Sequence, residues 1–141
     1  MKKLNNRLKI EVINKYFHPV TAGIETNVME VYGRFARKGH KITVHTSRNT
    51  LTDKNVLPEN EKINGLTIKR YKYHWYGFIP KINWSTADVI SLHNFNIVPH
   101  CLIFLYCLFL KLVGRKKFIF ILTPHSGFNP DWSIFPKLQA L

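Results

Sequence analysis

The chain has 141 residues, of which 45% are hydrophobic and 13% aromatic, a composition that fits one globular domain and argues against a disordered chain. Lysine and arginine (21) outnumber aspartate and glutamate (8), so the formal net charge is +13. Such a charge indicates polyanionic neighbours, namely nucleic acid, anionic lipid headgroups or phosphorylated small molecules, unless lysine is simply the default surface residue.

The cysteines and the N-terminus bear on the cellular compartment. Cys101 and Cys107 lie six residues apart in an apolar run, so on a helix they face different sides and a mutual disulfide is not expected. The sequence has no Cys and His spacing typical of a metal site. Residues 1–9 are basic but precede no long apolar stretch, which argues against a signal peptide. These features predict a reduced, cytoplasmic protein without a metal.

Residues 8–46 have the pattern of a strand, a turn, a helix and a second strand. Residues 8–14 are rich in β-branched and apolar side chains, as strands are. Residues 18–24 contain Pro19 and Gly23, which interrupt regular structure.

The helix is predicted from Glu25 to residues 37–39, where two cations precede a glycine. Its apolar face has residues at helical spacing, namely Val28, Val31, Tyr32 and Phe35. Residues 41–46 follow as the second strand. This βαβ unit predicts an α/β fold with a parallel sheet and helices on both faces.

Three further strands are predicted downstream. Residues 47–64 are polar and rich in turn formers, which indicates a long surface loop. Residues 65–71 alternate apolar and polar side chains and form the third strand. Residues 88–92 and 118–122 are short apolar strands, as interior strands of a parallel sheet are. Residues 128–141 are interpreted as a loop with the start of a helix.

Two apolar segments have alternative interpretations. Residues 72–84 interleave aromatic and basic side chains, which could stack on bases or sugars or insert at a membrane interface. Packing onto the core or onto another domain is favoured, because the aromatics show no repeated spacing. Residues 97–113 are shorter than the roughly 20 residues that a membrane span needs. A core helix flanked on both sides is favoured there, and a partly membrane-inserted helix is the alternative.

Polar groups collect where the predicted strands end, which is where open parallel sheets bind their ligands. They include residues 18–24, residues 123–127 and the pairs His45-Thr46 and His93-Asn94. A helix N-terminus preceded by a small residue favours phosphate binding. The turn lacks both the G-x-G-x-x-G and the G-x-x-x-x-G-K-[ST] patterns, so neither a nicotinamide site nor a kinase-type nucleotide site is expected.

Four segments resemble motifs of the family 4 retaining glycosyltransferases, which have the two-domain GT-B fold. Residues 19–25 resemble the P-x-x-G-G-x-E turn of that family, and residues 37–44 are similar to its GH-x-V-x-V second strand. Residues 88–94 resemble its D-h-h-H-x-H-x strand end, where h is apolar, and residues 123–125 resemble its T-x-H. The four motifs occur in the family's order and cover nearly the whole chain.

The resemblance implies that residues 1–141 are the N-terminal, acceptor-side Rossmann-like domain of a GT-B enzyme, incomplete at its end. The donor-binding domain, with its E-x(7)-E motif, would be absent. A complete enzyme would transfer a sugar from a nucleotide-sugar to an acceptor with retention, for cell-envelope glycan or glycolipid synthesis. The resemblance implies no cofactor and no metal, and this chain alone is expected to be inactive.

The resemblance also implies residue roles. The turn formed by Ala22, Gly23 and Ile24 would approach the donor diphosphate, and His125 would lie beside the donor sugar as the catalytic residue. The acceptor cleft would contain four polar residues, His18, His93, Asn94 and Thr123.

The sequence departs from the family's pattern at two positions. Ala22 replaces the first glycine of the turn, which narrows the approach to phosphate. Ser91 stands where the family often has its first histidine, which removes one polar contact.

The expected partners are a nucleotide-sugar, a glycan or lipid-linked acceptor and the missing donor-binding domain. The basic charge, the aromatic loop and the apolar helix together favour a peripheral position at the inner face of the cell membrane. One alternative is a non-catalytic partner subunit with the same fold. Another is a basic domain that binds nucleic acid or an anionic membrane, although nucleic acid is disfavoured because no known nucleic-acid module occurs.

Overall fold

The computed structural model of the protein describes residues 7–94, 97–114 and 118–124. Within these residues, six strands and two helices follow one another in the order β1 (Lys9–Ile13), α1 (Gly23–Arg37), β2 (Lys41–Ser47), β3 (Asn60–Ile63), β4 (Leu66–Tyr71), β5 (Val89–His93), α2 (Val98–Leu112) and β6 (Ile119–Thr123). The interpretation of residues 128–141 falls outside this described part.

The strands form one open sheet in the order β3-β4-β2-β1-β5-β6. All neighbouring strands run parallel except β3, which pairs antiparallel with β4. In the centre, Val12 lies opposite both Val44 of β2 and Ser91 of β5. The fold is therefore an α/β fold with a mostly parallel, Rossmann-like sheet, as the sequence predicts.

The two helices cover opposite faces of the sheet, because successive strand residues point to opposite sides. Val12 of β1 packs with Val28 of α1 in one core. Its neighbour Ile13 packs in the other core, with Ile103 and Cys107 of α2. The prediction of helices on both faces is confirmed.

Helix α1 begins at Gly23, two residues before the predicted start, and Ala22 is its N-cap. Its predicted apolar face is only half right: Val28 and Tyr32 are buried, whereas Val31 and Phe35 are 39% and 38% exposed. The line of contact with the sheet also includes half-buried residues on the other flank, Met29 and Ala36. The helix is therefore rotated relative to the predicted face, and Val31 and Phe35 lie at its edge.

Strand β3 lies inside the segment that the sequence predicts to be a loop. Its residues Asn60, Glu61 and Lys62 are exposed and polar, so it lacks the alternation that identifies a half-buried strand. Charged side chains are usual on edge strands, where they discourage pairing with other chains. The remaining residues of the predicted loop that precede β3, from 48 to 59, contain neither helix nor strand.

Helix α2 lies within the predicted segment 97–113, but only one of its sides is buried. Its inner side contributes Ile103, Cys107 and Leu110 to the core. Its outer side exposes large apolar residues, namely Leu102, Leu105, Leu108, Phe109 and Leu112. The expectation of a helix flanked on both sides is therefore wrong for the described residues. Among the described helices, none combines the length and the apolar character needed to cross a membrane.

The aromatic segment 72–84 packs onto the α2 side of the sheet. Phe78 is fully buried, and Tyr73 and Trp84 pack against the same core. Gly77 has a φ of +109°, and a Cβ there would lie 2.9 Å from Cδ1 of Ile97. The core interpretation of this segment is thus confirmed for most of its aromatics, while Trp75 projects outward.

Candidate functional site

The strand order reverses between β1 and β5, because the chain continues from β1 to β2 on one side and from β5 to β6 on the other. Open α/β sheets bind ligands in the crevice outside the carboxyl ends of the strands at such a point. The loop from Asn14 to Ala22 borders this crevice on one side, and Asn94 begins the connection on the other side.

The loop after β1 is held by a buried arginine of β4. Nη2 of Arg70 donates a hydrogen bond to the carbonyl oxygen of His18 at 2.7 Å, and Nη1 donates to the carbonyl of Pro58 at 3.3 Å. Nη1 also pairs with Oε2 of Glu61 at 2.8 Å. The peptide bond between His18 and Pro19 is cis. The hydrogen bonds of Arg70 hold the backbone of the predicted turn at His18. The side chain of His18 is exposed.

The N-terminus of α1 is open at its glycine. The backbone N–H of Thr26 donates to the carbonyl of Ala22 at 3.0 Å, so the N–H groups of Gly23, Ile24 and Glu25 have no acceptor within the helix. Gly23 does not have a positive φ, and a Cβ there would meet no described atom within 4 Å. The described structure therefore does not require glycine at this position, and the glycine leaves the backbone accessible.

A cleft of about 200 Å³ lies beside this helix end. The loop contributes His18, Val20 and Thr21 to its wall, and the helix contributes Glu25, Thr26, Met29 and Glu30. We call this feature the Glu25 cleft. It brings together the predicted residue His18 and a carboxylate to which the sequence analysis gave no site role.

His93, predicted for the acceptor cleft, is buried between β5 and α1. Its Nε2 lies 3.2 Å from Oγ of Ser91, and the hydroxyl of Tyr32 donates to the same Oγ at 2.5 Å. Burial raises the pKa of Tyr32, so its hydroxyl stays protonated and acts as the donor. Ser91 thus accepts a hydrogen bond from the helix across the face of the sheet.

Asn94 and Thr123 connect the ends of β5 and β6. Asn94 has a φ of +64°, and its N–H donates to the carbonyl of Thr123 at 3.2 Å. Thr123 also lies opposite His93 in the register of the two strands. These two predicted site residues are therefore neighbours. His125, the predicted catalytic residue, lies outside the described residues.

His100 of α2 is buried next to Asn94. Its Nδ1 donates to the carbonyl of Asn94 at 3.0 Å, while its Nε2 is buried and has no hydrogen-bond partner in the described structure. Burial is the largest cause that lowers the pKa of His100 to about 4; the hydrogen bond to Asn94 opposes this change, and the positive charge of Lys15 adds to it. The imidazole is therefore neutral and carries its proton on Nδ1.

His45, expected at the ligand-binding edge, lies instead inside the α2 face of the sheet. Its Nε2 makes a short hydrogen bond to Oε2 of Glu11, and its Nδ1 lies 2.7 Å from the hydroxyl of Tyr71. Because a carboxylate only accepts, Nε2 is the protonated nitrogen and Nδ1 accepts from the tyrosine. The three side chains connect β1, β2 and β4. The signal that sequence reasoning missed is Glu11, a charged residue within an apolar strand.

Comparison of the chain with protein-family models, with curated proteins and with solved structures gives no match. The fold and the site define the class: an α/β protein with a Rossmann-like sheet and an open helix N-terminus at its topological switch point.

Proposed function

We propose that the chain is the N-terminal, acceptor-side domain of a retaining glycosyltransferase with the GT-B fold. The observation that carries this proposal is the open glycine turn at the switch point of the sheet, where a Gly23 side chain would meet none of the described atoms. The resemblance to family 4 motifs supports it, because three of those motifs fall at the start of α1, at the start of β2 and along β5, and the fourth begins at Thr123, the last residue of β6.

In the proposed reaction, a sugar passes from a nucleotide-sugar to an acceptor with retention at the anomeric carbon. The departing diphosphate gains negative charge, and preorganised N–H groups and cations stabilise that charge. The first turn of α1, with Ala22, Gly23 and Ile24, contributes backbone N–H groups at the positive end of the helix dipole. A second, donor-binding domain contributes most of the cations, and by the family resemblance the role beside the donor sugar falls to His125.

The acceptor that we propose is a glycan or lipid-linked molecule at the cytoplasmic face of the cell membrane. Two observations support a membrane surface: the net charge of +13 and the exposed apolar side of α2, where Leu105 and Phe109 face outward. The same exposed side favours a second candidate function, a non-catalytic subunit that pairs with a catalytic partner through α2.

The experiment uses membranes from cells that carry the gene and from cells in which it is deleted, supplied with radiolabelled nucleotide-sugars. We expect one labelled glycan or glycolipid to disappear on deletion and to return with the wild-type gene. Gly23→Leu should restore the product at least about tenfold less well, because its side chain blocks the approach of the diphosphate. Asn27→Leu, at an exposed position of the same helix, is the matched control.

An unchanged set of labelled products after deletion would contradict the proposal. Full restoration by Gly23→Leu, with circular dichroism equal to that of the wild type, would remove the turn from the mechanism. Sugar transfer by the purified chain alone would show that no second domain is needed, contrary to the proposal.

A further inference from the structure

We propose that the Glu25 cleft is a binding site for a sugar ring, in which the buried carboxylate of Glu25 accepts a hydrogen bond from a sugar hydroxyl. The choice of a sugar as ligand rests on the proposed function, whereas the site itself rests on the geometry of the cleft. The cleft lies beside α1, next to the turn proposed for the diphosphate, and it is a separate feature with its own lining.

The first observation is an unsatisfied charge. Glu25 is only 7% exposed, and its Oε2 is buried without a hydrogen-bond partner anywhere in the described ranges. The helix dipole favours a carboxylate in the first turn, but a dipole does not replace a hydrogen bond to that oxygen. A buried polar atom without a partner lowers stability. Because Glu25 also lines the cleft, a hydroxyl group that enters the cleft can supply a donor to this carboxylate.

The second observation is that the cleft is held in shape before any ligand binds. Phe17 is buried at the base of the loop, and the N–H of Val20 donates to the carbonyl of Phe17 at 3.2 Å. The guanidinium of Arg70 holds the carbonyl of His18 from the sheet side. A preorganised wall reduces the entropy that a weak ligand loses on binding.

The lining identifies the class of ligand. A carboxylate oxygen accepts only, so the ligand must present a donor, and the second carboxylate, Glu30, disfavours an anion such as phosphate. Thr21, Thr26 and His18 can each donate and accept, which suits hydroxyl groups better than an ammonium group, since ammonium only donates.

The size and the apolar part of the lining agree with a single sugar ring. Val20 and Met29 offer apolar surface to the C–H face of a ring. The volume of about 200 Å³ is below the roughly 300–1,000 Å³ of sites for drug-sized ligands. We therefore expect one ring to bind with a Kd of about 1 mM, which is usual for so few contacts.

The test is a titration of the ¹⁵N-labelled chain, followed by the NMR shifts of its backbone amides. The probes are the methyl glycosides of glucose, mannose, galactose and N-acetylglucosamine, with methylammonium chloride and sodium phosphate as separate arms. We expect at least one glycoside to shift the amides of Thr21, Glu25 and Thr26 in a saturable way. Saturable shifts at these amides only with methylammonium, only with phosphate or with no probe would overturn the proposal.

The variant Glu25→Gln distinguishes a ligand-binding role from a helix-stabilising role. It keeps the shape of the side chain but loses the charge, so glycoside affinity should fall about tenfold or more, the effect of losing a hydrogen bond to a charged acceptor. Its Tm should stay equal or rise, because a buried charge without a partner is removed. An unchanged affinity together with a lower Tm would show a helix-stabilising role and overturn the proposal.

Glu59→Gln is the matched control, because it removes the same charge from an exposed side chain that pairs with Arg48 at 3.3 Å. Glycoside affinity should not change in this variant, and an equal loss there would mean that net charge, not the cleft, controls binding. Glycoside binding without loss of product in the deletion strain would support the sugar site and contradict the glycosyltransferase function. Loss of product without glycoside binding would support the glycosyltransferase function and contradict the sugar site.

Discussion

The two faces of the sheet are covered by helices of equal length but of different design. Helix α1 presents charged residues to solvent, among them Glu30 and Arg34, which form an i,i+4 ion pair at 3.5 Å. Helix α2 has almost the reverse outer surface, with Leu105, Phe109 and Leu112 exposed. The outer side of α1 is therefore suited to contact with solvent, whereas the outer side of α2 has the exposed apolar area that marks an interaction surface.

The interiors of the two faces differ as well. Beneath α1, one hydroxyl of the helix bonds to Ser91 of the sheet, so the polar contact joins helix to strand. On the α2 face, Glu11, His45 and Tyr71 bond to one another along the sheet and connect three strands. The polar contacts of the α2 face therefore join strands to one another, whereas the polar contact of the α1 face joins the helix to a strand.

The largest expected effect tests this division directly. His45→Ala leaves the Glu11 carboxylate buried without its donor, so the free energy of unfolding should fall by about 3 kcal/mol. Tyr32→Phe removes the hydrogen bond to Ser91 and the 3.5 Å contact with Nε2 of His93 on the opposite face, and should cost about 1 kcal/mol. Urea unfolding followed by circular dichroism measures both variants. Equal losses in the two variants would mean that the faces are held alike.

Acidification should lower the free energy of unfolding by a similar amount, because of His100. The pKa of His100 is about 4 in the folded chain and near its usual 6.5 when unfolded, so on acidification the unfolded chain takes up a proton first. The contribution of His100 to the free energy of unfolding should be constant above pH 6.5. It should fall by roughly 3 kcal/mol as the pH drops through 6.5 towards 4.

The variant His100→Gln isolates this contribution, because glutamine keeps a donor for the Asn94 carbonyl and does not titrate. Its stability should decrease less than that of the wild type between pH 6.5 and pH 4, measured by urea unfolding at each pH. A pH profile parallel to that of the wild type would contradict the role assigned to His100.

Gly77→Ala tests how tightly the aromatic segment packs on α2. The new Cβ would lie 2.9 Å from Cδ1 of Ile97, at a φ that side chains rarely adopt, so we expect a loss of about 2 kcal/mol. Gly114→Ala, which has φ +65° and no described neighbour within 4 Å, isolates the backbone strain and should cost about 1 kcal/mol. If the two losses are equal, the contact with Ile97 has no effect on stability.

The smallest effect on stability, and the sharpest contrast between the helices, is expected on their outer sides. Phe109→Gln and Phe35→Gln should each change the free energy of unfolding by less than about 0.5 kcal/mol. Sedimentation with vesicles containing anionic lipid should fall for Phe109→Gln and stay unchanged for Phe35→Gln. Raising the salt concentration should reduce binding of the wild type. Equal sedimentation of both variants would contradict a membrane role for α2.

The elements that the sequence predicts are those in which one pattern dominates. Strand β1 follows from its density of β-branched and apolar residues, β4 from period-two alternation and helix α1 from period-3.6 spacing, and the turn at Gly23 follows from its residue types. Strand β3 is missed because its identity comes from pairing with β4, through backbone hydrogen bonds and through the ion pair between Glu61 and Arg70. A local pattern cannot contain this information, since the partner strand creates it.

The same reason limits prediction of the candidate site. Arg70 reaches the carbonyl of His18 across 52 residues of chain, and His45 reaches Glu11 across 34. Such contacts depend on the order of strands in the sheet, which the local spacing of residues does not specify. His45 was therefore expected at the ligand edge, although its position in β2 turns it into the α2 face.

The two ends of the described sheet differ in whether another strand can join them. At one end, β3 runs against its neighbour and carries exposed polar side chains, which discourages pairing with a further chain. At the other end, β6 runs with its neighbour and exposes Ile119 and Ile121. The two edges of the described sheet therefore differ: the β3 edge discourages pairing with a further strand, whereas the β6 edge can accept one. Of the two edge strands of the described sheet, β6 is therefore the better template for a further strand.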